Sequence, residues 1–183
     1  LAVSQNVMPS STAWRKKRPD NRGWSTPILV ASGQRRELVV NGHEGVQAYD
    51  PATGRDLWFC KGFNGRGEPT VTPAGDVLCV VNGLSGDFYS VKPGGDGDVT
   101  ETHMAWHTPR KGGRDCPSPI AVGKFVIVCD MGGIATCYDA ADGRIYWKER
   151  LPGKYSGSPI AANGIVYILN EAGKTVKILT VGR

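Results

Sequence analysis

The sequence predicts an all-β fold made of repeated four-stranded antiparallel units. The 25 Gly and 12 Pro make up about a fifth of the 183 residues, against a usual share of roughly 12%, as a chain with many tight turns requires. Four tryptophans recur 44, 48 and 41 residues apart, at Trp14, Trp58, Trp106 and Trp147. Four prolines recur 42, 50 and 40 residues apart, at Pro27, Pro69, Pro119 and Pro159. Two markers that share one period indicate an internal repeat.

Each repeat contains four short strand signals, A to D, separated by turn residues. Strand A follows the proline and is predicted at 27–30, 119–122 and 159–162. Strand B is β-branched and apolar and is predicted at 38–41, 77–81, 125–129 and 165–169. Strand C follows a turn with glycine and is predicted at 46–49, 88–91, 134–138 and 175–179. Strand D carries the tryptophan, so the segment around Trp14 is interpreted as the last strand of a unit, for a total of sixteen strands.

These units predict a β-propeller of four-stranded antiparallel blades, because one blade cannot bury both of its faces and neighbouring blades must stack. The predicted regions are a partial blade at 1–24, blades at 25–67, 68–117 and 118–157, and a partial blade at 158–183. About four blades are thus present, either closed on themselves or as part of a larger ring. The chain begins at Leu1 without an initiator Met or a signal peptide, so we expect a piece of a longer protein.

The C–D turns of the first and third units share an Asp and a Gly at fixed spacing. Asp50 and Asp139 are expected to accept hydrogen bonds from their own turn backbone, and Gly54 and Gly143 to take conformations that other residues resist. Metal ligation by the two aspartates is the alternative. The periodic tryptophans are expected to fill the layers between blades, each burying roughly 150–250 Å², rather than to form exposed ligand-stacking platforms.

Two stretches carry a family resemblance. Ala48–Trp58 reads AYDPATGRDLW and matches the pattern Ala-x-Asp-x-x-Thr-Gly-x-x-x-Trp. Cys137–Trp147 reads CYDAADGRIYW and matches it with Cys in place of Ala and Asp in place of Thr. The chain thereby resembles bacterial PQQ-like (quinoprotein alcohol dehydrogenase-like) β-propeller repeat proteins over nearly its whole length. The second unit departs from the pattern, since its longer connection reads KPGGDGDVTETHMAW.

The resemblance implies a structural use of the motif, in a ring of seven or eight blades and at an extracytoplasmic, periplasmic or secreted, location. Gly54 and Gly143 would form the turns on which a neighbouring tryptophan stacks. The implied blade-docking residues are Trp14, Trp58, Trp106, Trp147, Asp50, Gly54, Asp139 and Gly143.

Catalysis is not expected from this chain. Dehydrogenases of the resembled family carry a disulfide between adjacent Cys, a calcium site of Glu, Asn and Asp, and a catalytic Asp. The five Cys here include no adjacent pair, and no residue set can be assigned to those roles. We therefore expect no PQQ, no metal and no catalytic residue. A fragment of a PQQ-dependent dehydrogenase is the alternative, because fold does not imply function.

Other candidate metal ligands are weak. His103 and His107 are expected in one strand, where residues four apart are about 13 Å from each other, too far to share a metal. Asp96 and Asp98 have the spacing of some calcium loops, but the later Glu of an EF-hand is missing, which favours a solvated hairpin loop. Apolar surroundings indicate that Cys79, Cys129 and Cys137 act as small hydrophobes.

The formal charge of +5 is concentrated at one end of the chain. Residues 1–36 hold seven basic groups and one acid, while the remaining 147 residues have a net charge of −1. The basic segment 14–22 is interpreted as a solvated outer strand and loop. An anionic-polymer-binding module is the alternative, although no interleaved aromatic platform supports nucleic acid binding. The sequence contains no run of about 18 apolar residues, so it predicts no membrane span.

Binding is expected on one edge of the propeller, which we call the rim. It carries the B–C turns and the D–A connections, whereas the A–B and C–D turns form the opposite edge. Loops on a rigid scaffold are where function usually lies, so we expect a protein or peptide partner there. The candidate rim residues are His43, Arg66, Arg110, Lys111, Arg114, Asp115, Asp130, Lys154 and Tyr155, beside Glu44 and Glu171.

Overall fold

The computed structural model describes residues 12–18, 23–63, 66–82, 86–110 and 117–179, with side chains to residue 176. Its strands in the first half are β1 Ile28–Ser32, β2 Arg35–Asn41, β3 Gly45–Tyr49, β4 Asp56–Lys61, β5 Thr72–Ala74, β6 Val77–Val81, β7 Phe88–Val91 and β8 Gly97–Asp98. The helix α1, Thr100–His103, follows. The remaining strands are β9 Met104–Thr108, β10 Ile120–Val122, β11 Phe125–Cys129, β12 Ile134–Asp139, β13 Ile145–Arg150, β14 Ile160–Ala162, β15 Ile165–Leu169 and β16 Thr175–Leu179.

The strands form four antiparallel meanders, as the repeat predicts. The first sheet has the order β1-β2-β3-β4, with β8 added beyond β4. The second sheet is β5-β6-β7-β9, the third is β10-β11-β12-β13 and the fourth is β14-β15-β16. Every predicted A, B and C strand within the described residues is present. The all-β, four-stranded blade architecture is therefore confirmed.

Adjacent sheets pack face to face through three buried apolar layers. The first layer joins the first and second sheets around Trp58 and Tyr89. The second layer joins the second and third sheets around Phe88 and Tyr138, and the third joins the third and fourth sheets around Ile127. Alternation along each strand sends one set of side chains to each neighbouring layer, which is why strands such as Val77–Val81 are apolar at every position.

The A strands of successive sheets are linked near their starts by hydroxyl side chains. Ser118 Oγ accepts from the Thr70 backbone N–H at 2.9 Å, and Ser158 Oγ accepts from the Ser118 N–H at 3.0 Å. Thr72 Oγ1 donates to the Pro119 carbonyl at 2.8 Å. These bonds satisfy backbone groups that precede strand A, where proline supplies no N–H of its own.

The segment around Trp14 is not a strand, which corrects one prediction. Residues 12–18 have no regular secondary structure. They lie on the first sheet through side chains, since Trp14 Nε1 donates to the Pro51 carbonyl and Lys16 pairs with Asp56. The described residues nevertheless contain sixteen strands, because β8 adds one that the repeat does not predict.

The long connection of the second unit crosses to the first sheet. Its β8 pairs in parallel with β4, with Trp58 opposite Gly97 and Phe59 opposite Asp98. His103 ends the helix α1, so the prediction of one strand for His103 and His107 is wrong. The polar, turn-rich residues of this connection give no apolar alternation from which its pairing could be predicted.

Candidate binding surface

Two tryptophans lie on the C–D turn of the following sheet. Trp14 Nε1 donates to the Pro51 carbonyl and Trp106 Nε1 donates to the Ala140 carbonyl, each at 2.9 Å. The indole rings cover the turn glycines so closely that a Cβ would lie 2.5 Å from Trp14 Cε3 at Gly54 and 2.7 Å from Trp106 Cε3 at Gly143. The same contact, an indole ring packed on a turn glycine, thus occurs at both copies of the motif.

Each of these turns is held by its aspartate. Asp50 Oδ1 accepts from the backbone N–H of Ala52 and Thr53, both at 2.9 Å. Asp139 Oδ1 accepts from Ala141 N–H at 2.9 Å, while its Oδ2 accepts from the Tyr146 hydroxyl at 2.6 Å. The Tyr146 bond, followed by the Ala141 bond, holds the pKa of Asp139 below its usual value, and the Thr53 bond does the same for Asp50. These carboxylates bond to their own turns, the arrangement expected from the sequence.

Trp58 has a different partner because the second unit lacks the motif. Its ring is fully buried and its Nε1 donates to Glu37 Oε2 at 2.7 Å. Glu37 is also fully buried and accepts from Arg35 Nε at 2.9 Å and Arg35 Nη2 at 2.7 Å. Trp147 is half-buried in the third layer, and the turn after β16 lies outside the described residues.

The rim has a polar floor that the sequence interpretation missed. In every sheet a buried amide or carboxylate side chain lies at the end of strand B or directly after it: Asn41, Asn82, Asp130 and Asn170. Asn82 Nδ2 donates to the Phe63 carbonyl, and Asn170 Oδ1 accepts from the Lys174 N–H at 2.8 Å. The signal was visible as an Asn or Asp closing each apolar strand, in VVN, VVN, VCD and ILN. These side chains hold the loops of the rim in place.

Above this floor, polar and charged side chains reach the surface. His43 and Glu44 are exposed in the β2–β3 turn, and Lys154 is exposed in the β13–β14 connection. Arg66 is half-buried, 3.6 Å from Glu68 and with its guanidinium 5.7 Å from the centre of the Trp24 ring. The predicted rim residues Lys111, Arg114 and Asp115 lie outside the described residues.

Two of the candidate rim residues do not present their side chains to a partner. Tyr155 is fully buried in the third layer, and its hydroxyl donates to the Pro152 carbonyl at 3.0 Å. We therefore remove Tyr155 from the binding surface, because an aromatic ring in a D–A connection completes the core here. Asp130 is 8% exposed, and its Oδ1 accepts from the Ile134 N–H at 2.8 Å, so it closes its own turn.

Two clefts open between the rim and the sheet faces. The first has a volume of about 490 Å³, and its lining includes Arg18, His43, Gln47, Tyr49 and Phe59. The second has a volume of about 260 Å³, and its lining includes Arg110, Asp130, Thr136, Tyr138 and Lys148. Arg18, which belongs to the basic segment 14–22, is exposed and contributes to the lining of the first cleft.

Other possible chemistry is limited within the described part of the chain. No cluster of three or more His, Cys, Asp or Glu side chains there could hold a metal ion. Asp96 pairs with Arg35, and Asp98 Oδ1 accepts from the Thr100 N–H at 3.0 Å and from its hydroxyl. Burial raises the pKa of the Cys60 and Cys79 thiols to about 12. No helix among the described residues is long and apolar enough to cross a membrane.

Repeated antiparallel meanders that pack face to face, with the same spacing of Asp, Gly and Trp in two of them, define a PQQ-like β-propeller repeat protein. A family model described as "Outer membrane protein assembly factor BamB" matches residues 86–180, just over half of the chain. The chain belongs to this family. No curated protein matches it.

Solved structures share the fold at low sequence identity. BamB from Moraxella catarrhalis is 18% identical with a TM-score of 0.61, over 88% of this chain and 46% of that one. The chain thus spans about half the length of that BamB. The computationally designed Ika4 protein is 11% identical with a TM-score of 0.61, over 85% of this chain and 91% of that one. Quinohemoprotein alcohol dehydrogenase ADHIIG from Pseudomonas putida HK5 is 18% identical with a TM-score of 0.59, over 84% of this chain and 29% of that one.

Proposed function

We propose that this chain is part of a non-catalytic, extracytoplasmic scaffold that binds a protein or peptide through its rim. The observation that carries the proposal is the construction of the rim. Buried Asn41, Asn82 and Asn170 fix the loops from below, while His43 and Lys154 are exposed above them. A fixed backbone with exposed polar tips suits recognition of another surface, because little ordering entropy is lost on binding.

Family membership supports a protein partner and an extracytoplasmic location. The family model is named for an outer membrane assembly factor, and a factor that assembles proteins must contact them. The turn aspartates that recur in the motif bond to their own backbone, which favours a structural use of the motif over catalysis. The identity of the partner is not implied by the fold.

Site-specific photo-crosslinking tests this proposal. A benzophenone amino acid placed at His43 or Lys154 on the rim is expected to give a discrete adduct in cells. The same amino acid placed at Arg36 or Arg55, which are exposed near the opposite edge, serves as the matched control and is expected to give none. Adducts from the opposite edge alone would overturn the proposal.

The alternative, a fragment of a PQQ-dependent dehydrogenase, rests on the likeness to the quinohemoprotein enzyme. A spectral titration of the intact chain with the quinone and Ca²⁺ separates the two. The scaffold proposal predicts an unchanged quinone spectrum at every concentration of protein. A saturable spectral change with a stoichiometry of one would favour the dehydrogenase.

A further inference from the structure

The outer strand of the first sheet, β4, is covered by a segment of the same chain. The short strand β8 lies beside it in parallel, with Asp98 opposite Phe59. Val99 N–H donates to the Phe59 carbonyl at 2.8 Å. Lys61 N–H donates to the Thr100 hydroxyl oxygen at 2.8 Å. An extended segment thus pairs with the backbone groups that β4 turns away from its own sheet.

The outer strand of the third sheet, β13, repeats the geometry of β4. An offset of 89 residues relates the two strands, and each shows the same register shift against the neighbouring strand C. Lys148 therefore takes the position of Phe59, and Arg150 takes the position of Lys61. No strand of the described residues pairs with β13 on its outer side.

The backbone of β13 presents hydrogen-bonding groups on that outer side. Leu151 N–H donates inward to the Gly133 carbonyl at 2.7 Å. Because antiparallel strands alternate between hydrogen-bonded and non-hydrogen-bonded pairs, the Lys148 carbonyl and the Arg150 N–H point away from β12. Within the described part of the chain, neither group has a hydrogen-bond partner. An unpaired row of this kind is a template for another strand.

The outer strand of the second sheet, β9, is closed to such pairing. An offset of 48 residues from β4 places Pro109 at the position of Lys61 and Arg150. Proline has no N–H to donate, and it is a common guard of exposed strands. Among β4, β9 and β13, the third therefore combines an open outer side with the donor that β4 uses to hold its fifth strand.

The side chains of β13 favour an acidic segment. Alternation places Lys148 and Arg150 on one face of the sheet and Glu149 on the other. A carboxylate in the position of Asp98 would lie opposite the exposed Lys148, on a strand about 4.8 Å away. The Arg150 guanidinium already donates to the Gly132 carbonyl at 3.3 Å, so the charge match depends on Lys148. Charge on the strand does not prevent pairing, since β4 contains a lysine at the position of Arg150.

The tryptophan of β13 favours an apolar residue after the acid. Trp58 on β4 is fully buried, and the buried Val99 that follows β8 belongs to the same apolar layer. Trp147, the equivalent residue on β13, is only half-buried. An apolar side chain in the position of Val99 would lie on the same face as this ring and reduce its exposure.

We propose that β13 binds an extended acidic segment of a protein partner as a fifth strand, parallel to it, at the place that β8 takes in the first sheet. The recognised sequence contains an acid followed by an apolar residue, as Asp98-Val99 does in the chain itself. Backbone hydrogen bonds supply the binding and the two side chains supply the selectivity, as in strand addition generally. The inference goes beyond the proposed function, because it uses the outer side of one sheet and not the rim.

The test is titration of the intact chain with a synthetic peptide of the sequence of residues 94–102, GGDGDVTET, followed by backbone NMR and amide hydrogen exchange. The peptide is expected to shift the Lys148 and Arg150 amide signals and to slow their exchange. Methylation of the peptide's valine nitrogen removes the donor to the Lys148 carbonyl and is expected to weaken binding about tenfold. Asn in place of the second Asp is expected to weaken it by up to about fivefold.

Two variants at one position test the backbone contact from the side of the protein. Arg150→Pro removes the outward N–H, as Pro109 does in β9, and is expected to abolish the effects of the peptide. Proline is tolerated on an outer strand where the N–H faces solvent. Arg150→Gln keeps the N–H and is the matched control, with binding expected within about threefold of wild type.

Three outcomes would overturn this proposal. Equal binding of the N-methylated peptide would show that no strand is added, and the peptide keeps this test valid even if Arg150→Pro does not fold. Signal changes confined to the rim loops or to Lys61 would place the peptide elsewhere. Self-association that slows exchange of the Arg150 amide without peptide would assign β13 to a second copy of the chain. Failure here with crosslinks retained at His43 would leave the proposed function standing.

Discussion

Gly54 and Gly143 each combine two constraints that a side chain would violate. Their φ angles are +71° and +72°, in the left-handed region, and each lies directly under an indole ring. Gly123 on the same sheet as Gly143 has a φ of +58° but no heavy atom within 4 Å of a Cβ position. Substitution of these two glycines in the third sheet therefore separates the cost of backbone strain from the cost of disturbing the docked indole.

Gly143→Ala is expected to destabilise the chain more than Gly123→Ala. The control substitution carries only the cost of a left-handed conformation, about 1–2 kcal/mol. The substitution under Trp106 adds an overlap with the ring, which costs about 1–3 kcal/mol more. Urea unfolding of the two variants measures the difference. Equal free energies of unfolding would show that the indole does not press on the turn.

Asp139 gives the stability of the chain a predictable dependence on pH. Its pKa is lower in the folded state than its ordinary value of 3.8, so its contribution is fully present above that value and is lost as pH falls through the lower, folded pKa. Asp139→Asn is therefore expected to destabilise the chain at pH 7 but to match wild type at strongly acidic pH.

Unfolding curves from pH 7 down to about pH 2 measure this loss, with Asp76→Asn, an exposed turn aspartate, as control. A constant difference between Asp139→Asn and wild type across that range would contradict the assignment.

At the residue scale, the sequence predicted contacts between neighbouring residues and missed contacts between residues distant in the chain. The Asp and Gly roles in the C–D turns follow from neighbours two to four positions away, so the pattern contains them. The burial of Tyr155 depends on the fourth sheet, whose Val166 and Ile168 share its apolar cluster, and no local pattern reports that. The buried Asn and Asp of the rim were visible in sequence, but the carbonyls to which Asn41 and Asn82 donate lie on distant segments.

At the scale of elements, β8 is the departure from the repeat. The connection that contains it is fastened to the first sheet by Arg35 and Glu37. Arg35 Nη2 donates to the Gly95 carbonyl at 2.7 Å, and Gly94 N–H donates to Glu37 Oε2 at 3.3 Å. A fully buried carboxylate shared by an arginine, an indole and a backbone N–H replaces the Trp–Gly contact that the second unit lacks.

Arg35→Met is expected to cost about 3–5 kcal/mol, because it leaves Glu37 buried without a cation. The double variant Arg35→Met with Glu37→Gln is expected to regain part of this loss, since the uncompensated charge is then gone. A double-mutant cycle by chemical denaturation measures the coupling. Additive effects of the two substitutions would contradict the network.

The strands of the repeat were predicted closely, whereas the connection was not. Apolar alternation and flanking turns define strands such as Val77–Val81 and Phe125–Cys129, which the structure has at the predicted bounds. The residues Pro93–Asp98 offer no such pattern. The pairing of β8 with β4 depends on contacts with residues distant in sequence, Glu37 and Trp58. The two-residue strand β8 could therefore not be predicted from its own residues.

At the scale of the whole molecule, the repeat register determines how the sheets stack. Each sheet covers one face of the next through a continuous apolar layer. Where a tryptophan docks on a turn glycine, the arginine four residues later lies over the next sheet. The repeat period predicted the sheets and their stacking, but contacts after each tryptophan, such as the packing of Leu151 in the third layer, depend on the neighbouring sheet.

The central claim is that a partner binds on the rim, and an affinity comparison tests it most directly. The partner identified by crosslinking is titrated against a rim variant, His43→Glu with Lys154→Glu, and an opposite-edge variant, Arg36→Glu with Arg55→Glu, matched in the number of acidic substitutions. The account predicts at least about tenfold weaker binding for the rim variant, as expected when the charge complementarity of an interface is disturbed, and unchanged binding for the other. Weaker binding of the opposite-edge variant with an unaffected rim variant would contradict it.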